Sequence, residues 1–293
     1  MAPHIISPHA TEGLRELLNS ACQTDLPCAG ATVILTSFEA GFGYSFLNKK
    51  LDKYNEFSGL ALDMHQPLVN QPGERFEYGI SMDWAGIAVE RATQTKLGDY
   101  MQKYIFEPSG IKDMSFIPSK DMKERLAGFW QRDGKDRLSQ RQYPLSRPLV
   151  PDQTSDMFQS GGAGLWGTTR EYSKLLRVLL NNGTSPITGK AILQPATVKL
   201  MFENQLARDP DFARTSLPAV KPELVHPADE LYPLCPGGEP QGWGLGFMIS
   251  PGVTGRSRHT AHWSVASQLL PFPDLKAVQL WANVETAVYN GLK

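Results

Sequence analysis

The sequence lacks the features that mark nucleic-acid-binding and membrane-spanning proteins. Its 29 lysines and arginines nearly balance 30 aspartates and glutamates, and the formal net charge is −1. Nucleic-acid binding needs a basic surface, so this balance argues against that class. No apolar run reaches the length of a membrane span, and residues 1–10 lack the apolar segment of a secretory signal. We therefore expect no nucleic acid and no membrane among its partners.

Cysteine is also scarce, with Cys22, Cys28 and Cys235 as the only three in the sequence. An odd number cannot form a fully paired disulfide framework, and no Cys-x-x-Cys spacing indicates a zinc site or a redox motif. The sequence therefore predicts a reduced, cytoplasmic setting. Nothing in it indicates a metal or an organic cofactor.

The 293 residues, 41% of them hydrophobic, are enough to bury a large core. The order of predicted elements fits a sheet built from both ends of the chain with helices between them. We predict one α/β (α+β) domain over residues 1–293, with an antiparallel sheet flanked by helices and a helical lobe. The sheet comes from residues 11–36 and 242–293, and residues 37–241 form a helical and irregular middle.

Capping signals and apolar periodicity place the individual elements. Residues 11–22 and a segment from Asp274 are predicted helices, and 31–36 and 242–249 are predicted strands. Ser81 is expected to cap a helix to about Thr93 that buries Trp84, Ile87 and Ala88. A helix from Leu97 to Phe106 should stop at Pro108, and Pro195 should open a short helix. Residues 119–158 are predicted to be irregular rather than core.

The clearest single helix signal is the capping box Thr168-Thr169-Arg170-Glu171. It predicts a helix to Leu180 that ends at Asn182-Gly183. The expected apolar stripe of this helix consists of Leu175, Leu176, Leu179 and Leu180.

The most informative segment runs from Pro72-Gly73 through Phe76 and Tyr78 to Asp83-Trp84-Ala85-Gly86. A Pro-Gly turn brings Tyr78 to the start of a helix, where the positive end of the helix dipole favours a phenol that acts as a base. An ordinary buried tyrosine with a satisfied hydroxyl is the alternative explanation.

Three stretches resemble the superfamily of serine β-lactamases, penicillin-binding proteins and esterases, and within it the fungal transesterase branch typified by the lovastatin acyltransferase. They are residues 40–47, residues 66–116 with Tyr78-Gly79 and Asp83–Gly86, and the Gly-rich turn that follows Ser160. The resemblance implies a β-lactamase-like fold with no metal or organic cofactor.

In that family a serine attacks an acyl carbonyl while a lysine and a tyrosine handle the proton. The resemblance implies that Tyr78 is the catalytic base. It also implies that Trp243, His262, Trp263 and Ser264 line the substrate pocket. The expected partners are a small-molecule ester or thioester donor, with an acyl-carrier or polyketide synthase domain as a possible source of the acyl group, and a small alcohol or water as acceptor. This chemistry belongs to secondary metabolism.

The sequence departs from the family pattern at the nucleophile. No Ser-x-x-Lys lies between the first predicted strand and residues 40–47, and the match at Ser109–Lys112 follows Pro108 at a helix end, outside its structural context. A hairpin expected after His262-Trp263-Ser264 is also missing, so the sheet is expected to be incomplete. The alternatives are an acyltransferase or esterase with a substitute nucleophile, an inactive homologue with a binding or regulatory role, or an incomplete gene product.

Three further patterns have plain explanations. His259 and His262 are spaced three apart, which on a strand places them on opposite faces rather than on one metal. Ser160 precedes Gly161-Gly162 and could be nucleophilic, although Gly-rich turns more often serve backbone geometry. Trp166, Trp243 and Trp263 could pack in the core as well as line a pocket.

Overall fold

The computed structural model describes residues 55–65, 76, 79–150, 152–212, 241–250, 260–262 and 269–270. Tyr78, Trp263 and Ser264 lie outside these ranges, as do the predicted elements at 11–22, at 31–36 and after Asp274. His262 is the last residue of a described strand, Thr260–His262. Within the described part, no helix is long and apolar enough to cross a bilayer.

The first long helix, α1, spans Ser81–Thr93 as predicted. Ser81 does not cap it, however, because the N-cap residue is Ile80, whose side chain makes no capping hydrogen bond. The buried positions also differ from the prediction: Asp83 and Gly86 are buried, whereas Trp84, Ile87 and Ala88 are only partly buried. A carboxylate and a glycine therefore form the inner face of α1, which indicates a backbone-to-backbone contact there rather than apolar packing.

The second helix, α2, runs past the predicted stop. It begins at Leu97–Met101, continues as a π-helical turn over Gln102–Phe106 and ends with Glu107–Ser109. Proline lacks an N–H group and clashes with the carbonyl four residues before it, so it normally ends a helix. The wider π turn just before Pro108 provides the room, and the amide of Ile111 bonds to the carbonyl of Phe106 at 2.9 Å.

Residues 119–158 are more ordered than predicted. Ser119 caps a short helix α3, Lys120–Glu124, and β2, Phe129–Arg132, pairs antiparallel with β3, Leu138–Arg141. Met157 and Phe158 are buried at 4% and 7% exposure, so the end of this segment contributes to the core. The prediction was wrong because the polar and proline residues of the loops hide the short apolar pieces between them.

The capping box is confirmed in part. Helix α4 spans Thr169–Leu180, and the hydroxyl of Thr168 accepts a hydrogen bond from the amide of Glu171 at 3.2 Å. Its apolar stripe is displaced from the predicted one, since Val178 is fully buried while Leu180 is 82% exposed. The amide of Gly183 bonds to the carbonyl of Val178 at 2.8 Å and ends the helix as expected.

Helix α5, Pro195–Met201, starts at its proline as predicted. The segment predicted as one strand over 242–249 is instead a hairpin of β5, Gly242–Trp243, and β6, Met248–Ser250. Its close packing is confirmed, because a Cβ at Gly244 would overlap the carbonyl of Met201.

The described strands form small groups. Strand β1, Met114–Ser115, pairs antiparallel with β4, Trp166–Gly167. Strand β6 lies between β5 and β7, Thr260–His262, and both pairs are antiparallel. Strand β8, Leu269–Leu270, pairs parallel with β2. Described strands therefore occur within residues 37–241 as well as within 242–270, which the predicted helical and irregular middle did not include.

The core lies where α2 meets β1, β4 and α4. Leu97, Phe116 and Met157 form one cluster, and Phe106, Ile111 and Met114 form another; Met101 and Leu165 pack against both. A separate cluster joins Phe76 to Leu206 and Phe212. The turn before β4 lies against α1, where a Cβ at Gly161 would meet the carbonyl of Met82.

Candidate active site

Phe76 fixes the chain just before the tyrosine of the sequence motif. Its side chain is 1% exposed, packs edge-on against Phe212 at 4.8 Å between ring centroids and stacks on Trp243 at 5.5 Å. Its amide donates a 3.3 Å hydrogen bond to the carboxylate of Asp209. An aromatic side chain held this way contributes several kcal/mol of packing, about 3–5 kcal/mol by truncation data. Phe76 is therefore a firm anchor two residues before Tyr78.

The chain after the tyrosine is fixed by the first turn of α1. The amides of Asp83 and Trp84 bond to the carbonyl of Ile80 at 3.0 and 3.2 Å. The indole N–H of Trp84 donates to the carbonyl of Met64 at 3.1 Å, and its ring stacks on His65 at 5.5 Å. Trp84 thereby attaches the start of α1 to the 3₁₀ turn Ala61–Met64.

Asp83 attaches the same turn of α1 to the Gly-rich turn. Its carboxylate accepts a hydrogen bond from the amide of Gly162 at 3.3 Å and another from the hydroxyl of Ser160. Asp83 is only 5% exposed. Burial raises the pKa of its carboxyl above the usual 3.8, and the nearby charge of Glu56 acts in the same direction, against the lowering effect of its hydrogen bonds.

The Gly-rich turn touches α1 through its backbone. A Cβ at Gly161 would lie 2.5 Å from the carbonyl oxygen of Met82, so only glycine fits there. A Cβ at Gly86, one turn further along α1, would lie 3.7 Å from the Cα of Gly161. This contact explains why a glycine and a carboxylate form the inner face of the helix.

Ser160 is part of this contact rather than an exposed nucleophile. It is 5% exposed, and its hydroxyl oxygen accepts a hydrogen bond from the amide of Ala163 at 3.0 Å. The same hydroxyl donates a hydrogen bond to the carboxylate of Asp83. Of the two explanations that the sequence left open, a nucleophilic Ser160 or a turn that serves backbone geometry, the structure supports the second. Sequence reasoning did not single out Asp83, although an acidic residue on the side of α1 that faces a Gly-rich segment is a usable signal.

The Ser-x-x-Lys match outside the family context is not a catalytic pair. Ser109 is completely buried in the last turn of α2, whereas the side chain of Lys112 is exposed. The amide of Lys112 donates to the carboxylate of Glu171 at 2.7 Å, so this segment serves to attach α4 to the loop after α2. Among the described residues Ser109 Oγ has no hydrogen-bond partner, so Lys112 does not activate it as a nucleophile.

Two of the predicted pocket residues lie in the described strands: Trp243 ends β5, and His262 ends β7 and pairs with Met248 of β6. Trp243 stacks on Phe76 and is half-buried, so its ring packs against the cluster that holds Phe76. Its predicted contact with substrate stays a prediction, as do the roles of Tyr78, His262, Trp263 and Ser264. Among the residues that the structure describes, no group of three or more histidine, cysteine or acidic side chains could hold a metal ion.

The geometry therefore fixes the described chain on both sides of residues 77–78. The Phe76 cluster holds one end, and the Trp84 and Asp83 contacts hold the other.

The sequence matches the Beta-lactamase family over residues 37–221. This range includes α1, the Gly-rich turn and α4.

Curated relatives carry names of acyl-transfer and ester-cleaving enzymes. A lovastatin esterase from Penicillium rubens is 29% identical over 269 residues, which cover 85% of this chain and 61% of the relative. A monacolin J acid methylbutanoyltransferase from Aspergillus terreus is 34% identical over 182 residues, 59% of this chain and 41% of the relative. An uncharacterized protein from Mycobacterium tuberculosis is 34% identical over 140 residues, 48% of this chain and 33% of the relative. The chain thus spans from a third to about three fifths of the length of these relatives.

Solved structures show the same fold. The LovD6 mutant of simvastatin synthase from Aspergillus terreus superimposes with a TM-score of 0.66 at 24% identity, over 96% of this chain and 79% of that one. The unliganded enzyme, as its selenomethionyl derivative, gives a TM-score of 0.61 at 25% identity, over 88% of this chain and 67% of that one. The β-lactamase-like α/β fold class expected from the sequence is confirmed.

Proposed function

Because the chain belongs to the β-lactamase family, we propose that it is an acyl-transfer protein of the transesterase and esterase type. The family expected from the sequence motifs is confirmed by the match over residues 37–221. The observation that most supports the activity is that 85% of the chain aligns with an esterase and 59% with an acyltransferase. The substrates are an ester or thioester donor and a small alcohol or water, in secondary metabolism and in the cytoplasm.

The proposed chemistry has two steps. An oxygen nucleophile on the protein adds to the acyl carbonyl, loses its proton to a base and expels the alcohol or thiol of the donor, which takes up a proton. The acceptor hydroxyl then attacks the acyl-enzyme and releases the nucleophile with its proton restored. Tyr78 is the proposed base, and the described anchors on both sides of it support that assignment. The acyl donor is a small molecule or an acyl group carried by an acyl-carrier or polyketide synthase domain.

A second function is supported by a specific observation. No Ser-x-x-Lys lies in the family context, and in the match at 109–112 the serine is buried while the lysine is exposed. A homologue that keeps the framework without the nucleophile would bind acyl ligands without forming an acyl-enzyme. When an enzyme loses its nucleophile, its site can still bind ligand and keep a residual rate enhancement.

Intact-mass spectrometry after incubation with a p-nitrophenyl ester or a fluorophosphonate separates the two functions. Acyl transfer predicts a stoichiometric adduct that maps to one serine. With the ester, Tyr78→Phe should slow adduct formation about 10²-fold or more, the usual contribution of a positioned base. Tyr104→Phe is the matched control, because Tyr104 is an exposed tyrosine of α2 and should react like the unchanged protein.

The binding function predicts the opposite result. Folded protein would then form no adduct with either reagent while still shifting its melting temperature with an unreactive acyl ligand. If Tyr78→Phe forms the adduct at the same rate as the unchanged protein, Tyr78 is not the base.

A further inference from the structure

We propose that the outer face of α4 is a docking surface for an acidic amphipathic helix of a partner protein. This face consists of the exposed side chains Arg170, Ser173, Leu176, Arg177 and Leu180. None of these residues takes part in the proposed acyl transfer, so the inference goes beyond the proposed function and does not depend on it.

The packing of α4 decides which residues remain on its outer face. Val178 is fully buried and Glu171 is 8% exposed. Tyr172 and Leu175 pack against the core cluster that contains Phe106. Residues three, four and seven apart share one face of an α-helix, so the five residues of the outer face lie on the side opposite these contacts. The outer face therefore belongs to a helix that is anchored on its other side.

Two leucines form an apolar strip along the outer face. Leu176 is 36% exposed, and Leu180, at 82%, is the most exposed large apolar side chain in the described part of the chain. A single exposed leucine is ordinary on a protein surface, but these two are four residues apart and are therefore neighbours on the helix. A second helix that packs against α4 would remove both side chains from water.

The charge of the outer face has one sign. Arg170 and Arg177 lie seven residues apart, and within the described part of the chain neither forms an ion pair with an acidic side chain. The β2–β3 hairpin, by contrast, pairs two arginines with aspartates four residues away at 2.7 and 2.9 Å. The single acidic residue of α4, Glu171, is buried with Lys174 2.6 Å from its carboxylate. The two arginines can therefore bind carboxylates of another protein.

The arrangement of these side chains specifies the partner. The leucines follow one edge of the outer face and the arginines the other, so a complementary helix needs apolar side chains beside carboxylates. A second copy of this chain fits poorly, because a two-fold contact through α4 would bring its arginines together. An anionic membrane also fits poorly, since lipid-binding basic segments carry about 4–8 lysines or arginines and this face carries two.

The test is fluorescence anisotropy with a labelled helical peptide that carries leucines four residues apart and glutamates seven residues apart. The peptide should bind the unchanged protein, and its affinity should fall as salt screens the arginines. The double substitution Arg170→Glu and Arg177→Glu should weaken binding about 10-fold or more, because attraction becomes repulsion at both positions. Leu180→Ser should weaken binding about 10-fold, since the complex then buries less apolar surface.

The controls are side chains of the same kind on other elements. Arg91→Glu changes an exposed arginine of α1, and Leu62→Ser changes a leucine that is 71% exposed in the 3₁₀ turn Ala61–Met64. Both variants should bind the peptide as the unchanged protein does. A peptide with lysines in place of the glutamates should instead prefer the protein with glutamate at positions 170 and 177. Thermal melts check that each variant is folded, which is expected because all the changed side chains are exposed.

The inference is overturned if the unchanged protein does not bind the acidic peptide, or if the arginine and leucine variants bind it as tightly as the controls do. Binding to phosphatidylserine vesicles that weakens in the same variants would assign the face to a membrane and overturn it. Self-association in sedimentation that Leu180→Ser abolishes would assign the face to a second copy, with the same consequence. The readout does not involve acyl transfer, so it is independent of the result with the ester reagents.

Discussion

Two carboxylates occupy the same position in two different helices. Asp83 is the third residue of α1, and Glu171 is the third residue of α4. Both are buried, and each accepts a hydrogen bond from a backbone amide of another loop: Asp83 from Gly162 at 3.3 Å and Glu171 from Lys112 at 2.7 Å. Each therefore attaches the first turn of its helix to a neighbouring segment.

The two sites differ in the charge that surrounds the carboxylate. Lys174 lies 2.6 Å from Glu171 and also donates to the carbonyl of Gly110 at 2.8 Å. Burial would raise the pKa of Glu171, but the hydrogen bonds from Lys174 and the Lys112 amide outweigh it, so the pKa is lowered from 4.5. At Asp83 burial prevails and the pKa is raised.

A buried carboxylate at the third position of a helix thus has two uses here, depending on whether a cation lies beside it. A buried carboxylate with a cation stabilises the fold in its ionised form. Burial without such a cation disfavours the ionised form, as at Asp83, which follows the proposed base by five residues in the sequence. Catalysis needs ionisable groups with shifted pKa values, so such groups tend to lie near functional sites.

The largest effect should come from breaking the paired site. Glu171→Gln leaves Lys174 without its anion and should lower the free energy of unfolding by about 2 kcal/mol. Because the folded pKa of Glu171 is lowered, its contribution is complete above the usual 4.5 and is lost as the pH falls through the folded value. The deficit of the variant should therefore be greatest at neutral pH and shrink in acid, as measured by urea unfolding at several pH values.

Glu124→Gln is the matched control for that change. Glu124 pairs with Lys120 in an exposed i,i+4 arrangement, with side chains 64% and 93% exposed. Exposed pairs of this kind contribute about 0.5 kcal/mol or less. Equal losses in the two variants would contradict the distinction between the buried and the exposed pair.

The effect of Asp83→Asn on the free energy of unfolding should be opposite in sign to that of Glu171→Gln and smaller. The asparagine keeps a hydrogen-bond acceptor for Gly162 and removes the buried charge, so stability at neutral pH should rise by about 1 kcal/mol. Because the folded pKa of Asp83 is raised, the folded state holds this proton more tightly, and its ionisation costs stability as the pH rises above the usual 3.8 and through the folded value. The gain should therefore disappear in acid.

Urea unfolding across the same pH range measures this gain. Asp121→Asn, at an exposed carboxylate, should change stability by less than about 0.5 kcal/mol. A lower stability of Asp83→Asn at neutral pH would show that the ionised carboxylate is the favourable form, and would reverse the comparison with Glu171.

The smallest effect extends the comparison to a buried polar group with no partner among the described residues. Ser109 Oγ is such a group. Ser109→Ala should leave stability unchanged or raise it by about 0.5 kcal/mol, because it removes an unsatisfied hydroxyl. Ser185→Ala should instead lower it by about 1 kcal/mol, since Ser185 Oγ bonds the Ser109 carbonyl and the amides of Ile187 and Thr188. Thermal melts that rank the two variants the other way would contradict this assignment.

Sequence reasoning succeeded where the signal is local. The span of α1, the Thr168 cap of α4 and the helix start at Pro195 depend on neighbouring residues and were predicted correctly. It failed where a distant contact decides. The Pro108 stop was wrong because a π turn makes room for the proline, and the apolar stripe of α4 was misplaced because Val178 rather than Leu180 meets the core.

The candidate site divides in the same way. The motif around Tyr78 and the Gly-rich turn could be recognised from residue order, and the family followed from them. The contact of Asp83 with the Gly-rich turn could not be recognised from residue order. Residues 83 and 162 are far apart in sequence and meet only when α1 packs on the turn. Likewise Trp243, predicted as a pocket residue, was found stacked on Phe76.

The sequence by itself determined the span of α1, the Thr168 cap of α4, the start of α5 and the β-lactamase family, since each depends on the order of neighbouring residues. Only the tertiary structure decided which polar groups share a buried space. Within the described part of the chain, it separated Ser109 from Lys112, paired Glu171 with Lys174 and left Asp83 without a cation against the Gly-rich turn. The physical reason is that burial and charge are set by what packs around a group, and a residue's own neighbours in the chain do not specify that.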